Sequence, residues 1–178
     1  MSGDERLRLF LALRLPDDAL DEIEVWQRSE LRGVRILARD HLHVTLAFLG
    51  HRPVEELDPI VAALRDAAAA ARGIRLTAMR YRETRSVGML VLDDAGGHAT
   101  ALASDVQARL EDLAVYERES RPWLPHLTVA RWRERPGLRP ALPPGRTFVP
   151  SDAAAYVSRL HAGGARYAVL KSVALGGE

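Results

Sequence analysis

Leu42-His43-Val44-Thr45-Leu46-Ala47-Phe48-Leu49-Gly50 and Pro125-His126-Leu127-Thr128-Val129-Ala130-Arg131 carry one pattern, His-x-Thr-x-Ala with aliphatic x, nearly half a chain apart. Six histidines and six threonines among 178 residues give about 0.2 His-x-Thr triplets by chance, so two with matching flanks read as a weak internal repeat. Both segments alternate apolar and polar positions, as a half-buried strand does. Alternate side chains of a strand share a face, so each segment presents one imidazole and one hydroxyl together. Val44 and Leu46, like Leu127 and Val129, turn the other way, into a core. Two such strands facing each other across a groove bring two imidazoles and two hydroxyls to one place.

Outward from these segments, the rest of the chain predicts an α+β fold. Leu7–Leu15 is a nearly continuous apolar run, as expected of a central strand. Pro16-Asp17-Asp18 opens a helix running to about Arg32, with acids in its first turn and Gly33 after it. Val34–Leu37 and Leu42–Leu49 are expected strands, the second closed by Gly50. Pro53–Arg72 is an expected helix stopped by Gly73. Strands follow at Ile74–Tyr81 and Val87–Leu92, a helix from Gly97 to Leu113, and a strand at Leu124–Trp132. Residues 133–150 hold five of the ten prolines and form a loop. Two strands, Ala154–Leu160 and Arg166–Ala174, join at Gly163-Gly164. Strands and helices are interspersed without the regular alternation of a doubly wound sheet, which points to mainly antiparallel sheets.

Composition bounds the function. A length of 178 residues suits one domain spanning 1–178, and 47% hydrophobic residues supply a core without staples. The absence of cysteine excludes disulfides, thiolate metal sites and a cysteine nucleophile. No apolar run approaches the roughly 18 residues of a membrane span, and the charged start, Met1-Ser2-Gly3-Asp4-Glu5-Arg6, does not resemble a signal peptide. The expectation is a cytoplasmic chain with no membrane association. A net charge of +1 leaves any phosphate recognition to a few local cations. Neither a P-loop nor a G-x-G-x-x-G motif is present.

The paired imidazoles suit a bridged phosphate diester. With an ordinary pKa of about 6.5, one ring can be neutral and the other charged near neutral pH. The neutral ring takes a proton from attacking water and the charged ring gives one to the departing ribose oxygen. Threonine hydroxyls donate to the non-bridging oxygens, where charge accumulates. This chemistry requires no metal and no cofactor.

These segments, with Arg8-Leu9-Phe10-Leu11-Ala12-Leu13, resemble the two-histidine (2H) phosphoesterase superfamily, and within it the bacterial RNA 2′,3′-cyclic phosphodiesterases formerly called 2′-5′ RNA ligases. The resemblance covers essentially the whole chain. It implies a two-lobed, pseudo-two-fold α+β fold with helices on the outer faces and the active-site groove between the lobes, acting as a monomer. It also implies opening of a terminal 2′,3′-cyclic phosphate to a 2′-phosphate, on RNA 3′ ends or small cyclic-phosphate nucleotides. By that analogy His43 is the general acid, His126 the general base, Arg131 the phosphate-side arginine and Phe48 an aromatic stacking on the terminal base. Thr45 and Thr128 bind phosphate oxygens. Strict alternation sets positions 48 and 131 on the face opposite the histidines, so both reach the groove only where their strands end, twist or bulge.

Other readings of the same residues remain. ADP-ribose cyclic phosphate, a 2′-5′ linked oligonucleotide or 2′-5′ ligation would use the same chemistry, and a non-catalytic RNA-binding module would use none. His41 shares a strand face with His43 and, with His126, would make a three-histidine zinc site. His51, His98 and His161 have no partner pattern. Arg133, Arg135, Arg139 and Arg146 make the proline-rich loop basic, and Arg80, Arg82 and Arg85 surround Tyr81; either set could face RNA.

Overall fold

The computed structural model describes residues 5–145 and 147–177, so Arg146 lies outside the described residues. The apolar run near the N-terminus forms β1 (Arg6–Arg14), and its Leu9, Leu11 and Leu13 are fully buried. Pro16 precedes α1 (Asp17–Glu30), whose acidic first turn complements the helix dipole. The strand expected at Val34–Leu37 shortens to β2 (Arg35–Ile36). A single 3-10 turn, Arg39–His41, then leads into β3 (His43–Pro53).

β3 corrects the sequence reading, for Gly50 does not close it. Gly50 adopts φ +67° inside the strand, opposite Leu9 and next to an irregularity in the register, and pairing runs on to Pro53 opposite Arg6. Because Pro53 ends that strand, the next helix starts later than its apolar pattern suggests. A 3-10 turn, Val54–Glu56, precedes α2 (Leu57–Ala70). The remaining elements are β4 (Leu76–Glu83), β5 (Val87–Asp94), α3 (His98–Asp112), β6 (His126–Arg131), β7 (Asp152–His161) and β8 (Gly164–Val173).

Two four-stranded antiparallel sheets result, ordered β3-β1-β7-β8 and β2-β6-β5-β4. Each holds one His-x-Thr strand at or next to its edge. The backbones of β3 and β6 approach within 8 Å, so the motif strands lie where the two sheets meet. One face of each sheet joins a shared core that includes Leu11, Leu46, Leu90 and Leu127. α2 and α3 pack together against the first sheet, and α1 against the second, where Trp26 meets the edge of Tyr81. Among the described residues no helix is long and apolar enough to cross a membrane.

The proline-rich loop is pinned rather than free. The buried Glu83 carboxylate accepts from Tyr81 Oη (2.9 Å), Gly137 N (3.0 Å), Leu138 N (2.7 Å) and Arg135 Nε (3.2 Å). Burial opposes its ionisation, but these donors outweigh burial and hold the carboxyl below its usual range. Trp26 Nε1 donates to Ala141 O at 2.7 Å, a second anchor. Arg135 is therefore committed to Glu83, which removes it from the basic loop expected to meet RNA.

Candidate active site

The two motif segments have the same pattern of burial. His43 and Thr45 are half-buried, Val44, Leu46 and Ala47 are buried, and Phe48 is exposed. His126, Thr128, Leu127, Val129, Ala130 and Arg131 repeat it position for position. Two adjacent buried residues break strict alternation, and the registers give the reason. Thr45 pairs with Ala12 and Ala47 with Leu11, which leaves Leu46 as an extra residue. Thr128 pairs with Met89 and Ala130 with Gly88, which leaves Val129 as the extra residue. Each strand therefore bulges immediately after its threonine.

The bulges bring Phe48 and Arg131 onto the groove face. Thr45 lies opposite Ala12 and Phe48 opposite Phe10, two positions that share a face of β1. Thr128 lies opposite Met89 and Arg131 opposite Val87, which share a face of β5. Each segment thus presents histidine, threonine and the residue three beyond threonine together.

Two buried glutamines hold these bulges. Gln107 Nε2, on α3, donates to Leu46 O at 3.0 Å. Gln27 Nε2, on α1, donates to Val129 O at 2.9 Å and to Leu37 O at 3.1 Å. Each helix follows a strand of one sheet and clamps the bulge of the other. Trp123 Nε1 adds a bond to Thr45 O at 2.9 Å, tying the segment before β6 to β3. None of these three residues is singled out in the sequence analysis. The available signal is an amide inside an apolar helical stripe: Gln27 beside Ile23 and Trp26, Gln107 beside Ala103 and Val106.

The 2′-5′ RNA ligase superfamily matches residues 15–161. This chain belongs to that superfamily. A Thermus thermophilus protein named RNA 2′,3′-cyclic phosphodiesterase is 33% identical, over 97% of this chain and 92% of its own. An Escherichia coli protein of the same name is 27% identical, over 96% of this chain and 98% of its own. Among solved structures, one from Thermus thermophilus superposes with a TM-score of 0.81 at 28% identity, covering 97% of this chain and all of that one. Apo Escherichia coli LigT superposes at 0.80 with 26% identity, covering 97% of this chain and 99% of that one.

In this member of the superfamily the two histidines have different surroundings. His126 Nδ1 lies 2.8 Å from Leu124 O; a carbonyl only accepts, so Nδ1 is the donor and, in the neutral ring, Nε2 is the nitrogen that carries the lone pair. The matching acceptor for His43 is the carbonyl of His41, also two residues upstream. Its dipole favours the protonated ring, but among the described residues buried Nδ1 of His43 is outside hydrogen-bond geometry to any group. Burial, then the charges of His41, His126 and Arg131, push the His43 imidazole down to about 4. That His126 and Arg131 act electrostatically on His43 reflects the meeting of the two motif faces.

Aromatic rings surround His43 in this 2′-5′ RNA ligase superfamily chain. Phe10 stacks on its ring at 4.8 Å and on Tyr156 at 4.8 Å, and Tyr167 meets Phe10 edge-on at 5.0 Å. Phe48 is 48% exposed, with the Arg8 guanidinium over its ring, 4.8 Å from the centre. His41 packs on Tyr167 at 4.4 Å. Among the described residues, no three His, Cys, Asp or Glu side chains converge as metal ligands would. His51, His98 and His161 are exposed.

Proposed function

We propose that this chain hydrolyses the 2′,3′-cyclic phosphate at RNA 3′ ends to a 2′-phosphate, by metal-independent acid–base catalysis between His126 and His43. The observation that carries this reading is the pair of identically bulged strands, which sets imidazole, hydroxyl and the Phe48 or Arg131 side chain on one face of each sheet. The activity is that named for the relatives matched over most of the chain. His126 Nε2 takes a proton from water as its oxygen bonds to phosphorus. The bond from phosphorus to the ribose 3′ oxygen breaks, and His43 gives that oxygen its proton. Thr45 and Thr128 donate to the non-bridging oxygens, Arg131 offsets their charge, and the exposed Phe48 stacks on the terminal base. The active form is a monomer in the cytoplasm.

The test is a panel of nucleoside 2′,3′-cyclic phosphates assayed in EDTA, with the product position read by phosphorus NMR. The expected product is the 2′-phosphate. Exclusive release of 3′-phosphates refutes the assigned leaving group, and complete loss of activity in EDTA refutes the metal-free step.

The pH dependence has a defined sign. As the acid, His43 must be protonated, so the limb that falls with rising pH belongs to it. In the empty site its ring loses the proton above about 4. A bound phosphate anion favours the imidazolium, so that limb moves to higher pH when substrate is bound. The falling limb of kcat is therefore expected at higher pH than that of kcat/KM. A 2′-nucleotide product should likewise raise the His43 pKa in an NMR titration, and coincident limbs with no such rise would assign the acid elsewhere.

A further inference from the structure

The second sheet carries unspent positive charge on the motif side. β4 contains Arg80-Tyr81-Arg82, and a register irregularity at Met79 sets which way they point: Ala78 pairs with Leu92 but Arg80 with Val91, and Arg82 with Met89. Val91 in turn pairs with His126 and Met89 with Thr128. Two rows therefore cross the sheet on one face, Arg80–Val91–His126 and Arg82–Met89–Thr128. Two interstrand spacings, about 10 Å, separate each arginine from its motif residue. Arg80, Arg82 and Arg131 are exposed, and beyond their backbone pairing in the sheet none of their side chains makes a hydrogen bond or ion pair among the described residues.

Several other arginines are spent within the fold. Arg14 is spent on Asp152, Arg52 on Glu56, Arg109 on Asp105 and Asp66, and Arg39 on three carboxylates. The nearest acids do not cancel the arginines on this face. Glu83 is committed to the proline-rich loop, and Asp93, opposite Thr77 beyond the Arg80 row, makes no ion pair with them. The groove side of the first sheet is more aromatic, with Phe10, Tyr156 and Tyr167; Asp152 neutralises its Arg14, and its Arg8 lies over Phe48 and donates to Ser158 Oγ.

We propose that the β4–β5–β6 face is the track for single-stranded RNA upstream of the cyclic phosphate, with Arg80 and Arg82 holding the backbone phosphates of the preceding nucleotides. The proposal rests on the catalytic reading above. A nucleotide whose base stacks on the first sheet and whose phosphate lies between the motifs leaves its 5′ side to exit over the second. There two guanidinium forks match a polyanion, by charge and by their paired donors.

The experiment compares wild type with R80A/R82A on a 2′,3′-cyclic mononucleotide and on a short oligoribonucleotide ending in the same cyclic nucleotide, across a range of KCl. R28A/R65A, which removes two exposed cations from α1 and α2, is the charge-matched control. R80A/R82A should raise KM for the oligomer about ten-fold or more at nearly unchanged kcat, and leave the mononucleotide within about two-fold. The slope of log kcat/KM against log salt should become shallower by about 1.4 for the oligomer, two single-strand contacts at about 0.7 each. R28A/R65A should change neither. Unaltered oligomer kinetics, or equal losses on both substrates, would overturn the track. If wild type cleaves neither substrate, the catalytic reading fails instead, and anisotropy with a labelled oligoribonucleotide bearing a 3′-phosphate decides the track alone: binding must weaken in R80A/R82A, and unchanged binding rejects it.

Discussion

Replacing His126 with alanine should lower kcat on 2′,3′-cyclic phosphates by about 10²–10⁴-fold, the usual worth of one positioned proton transfer, while the protein stays folded. The ring is half-buried at the first position of β6 and its one hydrogen bond among the described residues is to Leu124 O, so truncation removes the lone pair on Nε2 without opening the core. The missing group is a base, which acts only when deprotonated. The variant should therefore lose the limb of the pH profile that rises with pH and keep the falling one. His43→Ala should do the opposite, deleting the falling limb, with a loss of kcat of the same order. If both variants lose the same limb, or either keeps wild-type turnover, the division of labour between the two rings is wrong.

Much of this site is legible in the sequence, because strand alternation is a property of side-chain order. The pairing of His43 with Thr45 and of His126 with Thr128 on one face follows from period two alone, as does the burial of Val44, Leu46, Leu127 and Val129. The α+β class follows in the same way, from the order of apolar runs and breakers. The presence of Phe48 and Arg131 on that face does not follow. A bulge is a mismatch in residue count between two strands, and a single strand's sequence does not record what its partner contributes. Its one trace is the adjacent apolar pairs Leu46-Ala47 and Val129-Ala130, which also suit a buried strand of ordinary geometry. Gly50 misleads for a related reason, since a positive φ serves a strand irregularity as well as a strand end. Arg135 misleads because its partner, Glu83, is 52 residues away.

The bulges are where distant parts of the chain act on the chemistry, and Gln107→Leu is the substitution expected to expose this. Leucine fills nearly the same space but has no donor, so Leu46 O, in a strand segment already out of register, loses its bond from α3. A buried carbonyl left without its partner costs about 1–3 kcal/mol, which should appear as a lower unfolding midpoint. The larger effect should be on catalysis. If the extra residue is expelled and β3 regains strict alternation, everything beyond Thr45 turns over and Phe48 leaves the groove face. Even partial relaxation shifts Thr45 against His43, and a displacement of about 1 Å can cost about 10²-fold in rate. A drop in kcat/KM of about ten- to a hundred-fold is expected in a chain that still folds. Gln27→Leu should do less on the β6 side, because Val129 O keeps a second donor in Leu37 N at 3.0 Å. Comparing the two variants separates a clamp from ordinary core packing. Both glutamines are buried on helices, so packing alone predicts similar losses, whereas the clamp predicts that Gln107→Leu loses more activity. Equal activity in both folded variants would show that the bulges hold without their amides.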